Sequence, residues 1–157
     1  MVKAHRVILA AHSETFSVAF NNASCLEVQN GVYEIAKEHF NPDILQDVLK
    51  WMYLHKIENA AAKAVDLLEA AEYFQIMGLK ELSINLLMKN VTVENCLQMM
   101  NVAFKYNVNC MKTKCNDVFV RNRCKVMEMA AGQNLPHVPK EALELLGIDL
   151  ERVKLKP

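Results

Sequence analysis

Apolar residues recur at helical spacing along most of the chain, and that period limits the fold more than any other feature of the sequence. Ile44, Leu45, Val48, Leu49 and Met52 fall at i, i+1, i+4, i+5 and i+8, with Asp43, Gln46, Asp47 and Lys50 opposite, which predicts an amphipathic helix. Asn41-Pro42-Asp43 opens it: Asn caps free amides, Pro needs no donor in the first turn, and Asp faces the positive end of the dipole. A helix from about residue 61 turns Ala64, Leu67, Leu68, Ala71 and Phe74 inward and Lys63, Asp66, Glu69 and Glu72 outward. Gly78 is the expected stop, because it can take the left-handed cap geometry. A shorter helix then carries Leu79, Leu82, Leu86 and Leu87. Thr92 is the expected cap of the next, with Val93, Leu97, Met100 and Phe104 on one face. Asn109 is the expected cap of another, which buries Met111, Cys115, Val118 and Phe119 and holds Arg121, Arg123 and Lys125 near its negative end.

The amino end is less regular. Residues 1–13 read as an extended start entering a helix with Val7, Ile8 and Ala11 on one face, and residues 15–20 as a second with Phe16, Ala19 and Phe20 inward. Val32-Tyr33-Glu34-Ile35-Ala36 alternates enough for a brief strand. After Gly132 the chain loosens, and a last amphipathic helix is expected at 140–146. The fold class is therefore mainly α with a small β element near the amino end. Strands so few are marginal alone, and further strands are expected before Met1.

Composition narrows the function. The 157 residues suit one domain with a short appendage. Eighteen basic residues balance eighteen acidic ones, which argues against a nucleic-acid partner, since phosphate binding needs concentrated positive charge. No apolar run approaches the roughly 20 residues of a membrane helix. Five cysteines without a C-x-x-C or zinc-finger spacing read as reduced thiols of an intracellular protein, nuclear or cytoplasmic, most of them small core hydrophobes. Nine methionines read mainly as core fillers.

Nothing in the sequence points to catalysis. His5 and His12 could share a helical face, yet no carboxylate or thiol joins them at ligand spacing. Four glycines cannot build a phosphate loop, no Gly-x-Ser-x-Gly occurs, and Glu69 with Glu72 reads as a solvated pair. No enzyme activity, metal, cofactor or small-molecule substrate is expected, and protein–protein interaction remains.

Here the residues carry a resemblance. Val2-Lys3-Ala4-His5-Arg6-Val7-Ile8-Leu9-Ala10-Ala11-His12-Ser13, followed by Phe16 and Phe20, resembles the opening pattern of BTB/POZ domains. Trp51-Met52-Tyr53 is similar to that family's aromatic helix end, and Leu67-Leu68-Glu69-Ala70-Ala71-Glu72-Tyr73 to its L-L-x-A-A-x-x-Y. Leu79-Lys80 and Asn90-Val91-Thr92-Val93-Glu94-Asn95 resemble the speckle-type POZ proteins, and the likeness runs over about residues 2–125. By this resemblance the chain is expected to lack the MATH domain and the first BTB strand of those proteins, and Leu54-His55 replaces the family's Thr-Gly turn.

The resemblance implies a partial BTB/POZ domain over 1–89, three-box/BACK-like helices over 90–130, and a carboxy-terminal helix and tail over 131–157. It implies homo- or heterodimers with related BTB proteins through Val7, Ile8, Leu9 and Ala11. It also implies a groove for cullin-3 in a ubiquitin-ligase adaptor, formed by Cys25, Leu26 and Glu27 with Phe74, Gln75, Ile76 and Met77, and a weak second self-association contact at Leu143. The alternative is a module that only dimerises, as a corepressor-type scaffold or a competitor of longer relatives.

Overall fold

The computed structural model describes residues 3–21, 28–29, 32–33, 40–132 and Gly147. Among these the architecture is mainly helical, in the order α1 (Arg6–His12), α2 (Glu14–Asn21), β1 (Val28–Gln29), β2 (Val32–Tyr33), α3 (Pro42–Leu54), α4 (Ala64–Tyr73), α5 (Met77–Lys89), α6 (Cys96–Lys105), α7 (Asn109–Arg121) and α8 (Arg123–Gly132). The chain divides into two compact units, Met1–Leu86 and Leu87–Pro157. The β element is one antiparallel pair, with Val28 opposite Tyr33 and Gln29 opposite Val32. The expected helix at 140–146 and the end of the expected strand, 34–36, lie outside the described residues.

The amino-terminal unit closes on one core. Leu9 and Phe16 reach it from α1 and α2, Val48 and Trp51 from α3, Leu67 and Ala71 from α4, with Phe74, Ile76 and Leu79 completing it. Asn41 caps α3 as its sequence predicts, its side chain accepting from the Asp43 N–H at 3.0 Å with Pro42 in the first turn. Asp47 departs from expectation. It is 4% exposed, because the Lys63 ammonium donates to its carboxylate at 2.6 Å; only such pairing makes an interior carboxylate tolerable. That same hydrogen bond is the chief reason the Lys63 amine is held above its ordinary value.

Gly78 has a different task from the one its sequence suggests. It lies inside α5, not at the end of α4, and a Cβ there would sit 2.7 Å from Cη2 and 2.9 Å from Cζ2 of Trp51. The glycine makes room for an indole. The α4 stop is made three residues earlier by Gln75, with φ 52°. Its N–H donates to the Glu72 carbonyl at 3.2 Å and the Ile76 N–H to the Ala71 carbonyl at 2.8 Å, the bonding pattern of a Schellman motif.

The second unit repeats this device. At the end of α6 the left-handed residue is Asn107, φ 50°, with Asn107 donating to Phe104 at 3.2 Å and Val108 to Ala103 at 2.8 Å. The core of this unit gathers Met100, Ala103, Met111, Cys115, Phe119 and Val126. Three sequence expectations are corrected here. Thr92 caps nothing: α6 begins at Cys96, and the Asn95 side chain accepts from the Thr92 N–H at 2.7 Å and donates to the Asn90 carbonyl at 2.8 Å, bracing the loop. Asn109 is the first helical residue rather than the cap. The helix ends at Arg121, with Asn122 as its cap, so Arg123 and Lys125 belong to α8.

Candidate protein-interaction surfaces

The α1 helix is only seven residues long and is fixed by its neighbours. The His5 N–H donates to Tyr53 Oη at 2.8 Å, and the imidazole Nδ1 meets the same oxygen at 2.9 Å. The Arg6 guanidinium donates to the Phe20 carbonyl at 2.9 Å and lies 4.7 Å over the Phe20 ring. So anchored, α1 turns Leu9 into the core at 7% exposure and leaves Val7 at 81%. Ile8 is half-buried against the core and Ala11 is exposed. At 3.6 residues per turn, positions 7 and 11 lie about 40° apart while 9 points about 200° away from 7. The four residues grouped by sequence as one dimer contact are thus divided: Val7 and Ala11 face outward, Ile8 borders them, and Leu9 is a core residue.

The junction of α4 and α5 divides its residues the same way. Phe74 and Ile76 are each 1% exposed, whereas Tyr73 is 44% and Met77 65% exposed, and Gln75 is exposed in its left-handed turn. The helix terminus leaves carbonyls without intrahelical partners, and Ser13, just before α2, and Thr15, in its first turn, supply hydroxyls to them. Ser13 donates to the Phe74 carbonyl and Thr15 to the Tyr73 carbonyl at 3.1 Å, while Ser13 Oγ also accepts from the Phe16 N–H at 3.1 Å. Lys80 closes the turn on Glu72 at 2.5 Å. Phe74 and Ile76, expected as partner contacts, are buried in the core; the outward side chains here are Tyr73, Gln75 and Met77. Cys25, Leu26, Glu27 and Leu143 lie outside the described residues.

The local chemistry suits surfaces better than catalysis. Glu72, half-buried, is committed to Lys80. Burial pushes the Cys115 thiol up to about 12 and the Cys96 thiol upward too, the reverse of an activated nucleophile. Cys110 and Cys124 are exposed free thiols. No group of three or more metal-ligating side chains occurs among the described residues, and no helix among them is long and apolar enough to cross a membrane. In the Val93-Glu94-Asn95 block, the Glu94 carboxyl is held below its usual range by its own backbone N–H and then by the Thr92 hydroxyl.

Comparison with known proteins agrees with a surface-borne function. A BTB/POZ domain model matches residues 1–91. Kelch-like protein 11 of Mus musculus is 28% identical over 154 residues, covering 95% of this chain and 22% of its own length. BTB and MATH domain-containing protein 40 of Caenorhabditis elegans is 28% identical over 134 residues, covering 84% of this chain and 33% of its own. Kelch-like protein 7 of Rattus norvegicus is 31% identical over 96 residues, covering 61% of this chain and 16% of its own. The chain thus spans about a third or less of the length of these relatives.

Proposed function

Because the chain belongs to the BTB/POZ family, we propose that this protein-interaction module pairs with itself or related BTB chains through the outer face of α1. It further binds cullin-3 as an intracellular substrate adaptor of a ubiquitin ligase, in the nucleus or the cytoplasm. The observation that carries this reading is the family match over residues 1–91. The exposed Val7 and Ala11 supply apolar surface for pairing, and Tyr73, Gln75 and Met77 supply outward side chains for a cullin contact to which the family resemblance adds Cys25, Leu26 and Glu27. The helices after Asn90, opened by the Val93-Glu94-Asn95 block, are three-box/BACK-like on this reading, and the likeness to speckle-type proteins rests on that block.

One observation favours the second reading, a module that dimerises without binding cullin. A helix laid in a groove draws affinity from a few desolvated apolar anchors. Burial of Phe74 and Ile76 within the chain leaves Met77 as the large apolar side chain of that stretch.

The two readings part in one experiment. Val7→Asp, at a position 81% exposed, is expected to convert the dimer to monomer with unchanged far-UV circular dichroism, since it places a charge in an apolar contact without touching the core. Met77→Asp is expected to weaken binding of the cullin-3 amino-terminal domain at least tenfold in calorimetry and to leave the dimer intact. A parent that dimerises and shows no cullin binding establishes the scaffold reading. A Val7→Asp protein still dimeric at micromolar concentration removes α1 as the interface.

A further inference from the structure

The sequence pairs His12 with His5, but the fold pairs His12 with His55. His12 is the last residue of α1 and half-buried; His55 is the exposed left-handed cap of α3, with φ 52° and its N–H donated to the Trp51 carbonyl at 2.8 Å. Their ring centroids are 5.2 Å apart at 73°, and both rings meet Trp51 edge-on, at 6.0 Å from His12 and 4.8 Å from His55. His5 has its Nδ1 engaged by Tyr53. Among the described residues, neither ring of the other pair has a hydrogen-bonding or carboxylate partner.

We propose that His12 and His55 form a two-imidazole chelate for a late first-row divalent ion, with water completing the coordination shell. Two observations carry it beyond ring packing. First, the separation fits: with metal–nitrogen bonds of about 2.0–2.1 Å, ion-to-ring-centre arms of about 3.2 Å at angles between square and tetrahedral span about 4.5–5.2 Å. Rotation of the rings about χ2, a broad torsion, can turn a nitrogen of each toward a common ion. Second, among the described residues neither imidazole has a protein partner for its ring nitrogens, so both rings are available as donors. Imidazole donors suit copper, nickel and zinc, with Cu2+ bound most tightly. The absence of a third side-chain ligand sets this apart from a closed structural zinc site. A bound ion would tie the last turn of α1 to the cap of α3. The inference is independent of the cullin reading.

The chain's single tryptophan, Trp51, reports on the site directly. Adding Cu2+ to chelator-treated protein at neutral pH is expected to quench its fluorescence saturably, one ion per chain. The bound Cu2+ should show two nitrogen ligands in its electron paramagnetic resonance spectrum, and Zn2+ should raise the Tm by binding the folded state. His12→Gln and His55→Asn should each weaken the quench at least tenfold, and His5→Gln should leave it unchanged; asparagine at 55 tolerates the left-handed backbone, and circular dichroism checks each fold. Quenching that persists in the His12→Gln, His55→Asn double variant overturns the proposal as adventitious binding. A parent spectrum without the two-nitrogen pattern overturns it whatever the variants do.

Discussion

Truncating Phe74 to alanine is expected to destabilise the amino-terminal unit by about 3–5 kcal/mol, the range for removing a large aromatic from a packed core. The ring is 1% exposed, stacked on Phe16 at 5.1 Å, tilted against Phe40 at 5.6 Å and edge-on to Tyr73 at 4.9 Å. Rings from α2, from the approach to α3 and from α4 converge on this one side chain, so the cavity has few ways to collapse. Urea denaturation measures the loss directly, and a change below about 1 kcal/mol would mean that the packing is far looser than these separations require. The result also governs how binding data are read. On the proposed cullin-3 reading, weaker binding by Phe74→Ala would reflect a destabilised fold and not a lost contact, whereas Met77→Asp tests the surface alone.

Ser13→Ala is expected to cost about 1–3 kcal/mol, a large effect for the removal of one oxygen. The hydroxyl is 1% exposed; it donates to the Phe74 carbonyl and accepts from the Phe16 N–H. Its loss leaves a buried acceptor and a buried donor unmet and removes the cap of α2, and alanine can replace neither role. Thr15→Ala, whose bond to the Tyr73 carbonyl is exposed, should cost well under half as much. Because Ser13 and Phe74 share one network, the Ser13→Ala, Phe74→Ala double variant is expected to lose less than the sum of the two singles. Strict additivity in thermal or urea unfolding would contradict the coupling.

The helical stripes, the α3 cap and most of the core could be read from the sequence because each is a local pattern of 3.6-residue period. What escaped depended on partners distant in sequence. Asp47 reads as an outer-face residue until Lys63 is seen beside it. Gly78 reads as a helix stop because glycine is the usual left-handed cap, yet Gln75 takes that geometry, and Gly78 is required by the Trp51 ring. The strand pairing is also local information: Asn30-Gly31 lies between Gln29 and Val32 in sequence, and that dipeptide is the strongest short hairpin signal. For the candidate interaction residues, the family motif names positions on α1 and at the α4–α5 junction without saying which side chains turn outward. A motif records which residues recur, and Leu9, Phe74 and Ile76 can recur for packing as well as for contact.

The fit of Trp51 against Gly78 has a consequence for how such a chain can diverge. Part of the space that a side chain at 78 would occupy already belongs to an indole supplied from α3, so the two positions hold one shared volume. Neither is free to change first: a larger residue at 78 meets the ring, and a smaller one at 51 opens a void over a residue that cannot fill it. Accepted changes should therefore arrive as compensated pairs, bulk gained at one position as it is given up at the other. Related chains with a small residue at the position of Trp51 should tolerate a methyl or more at the position of Gly78.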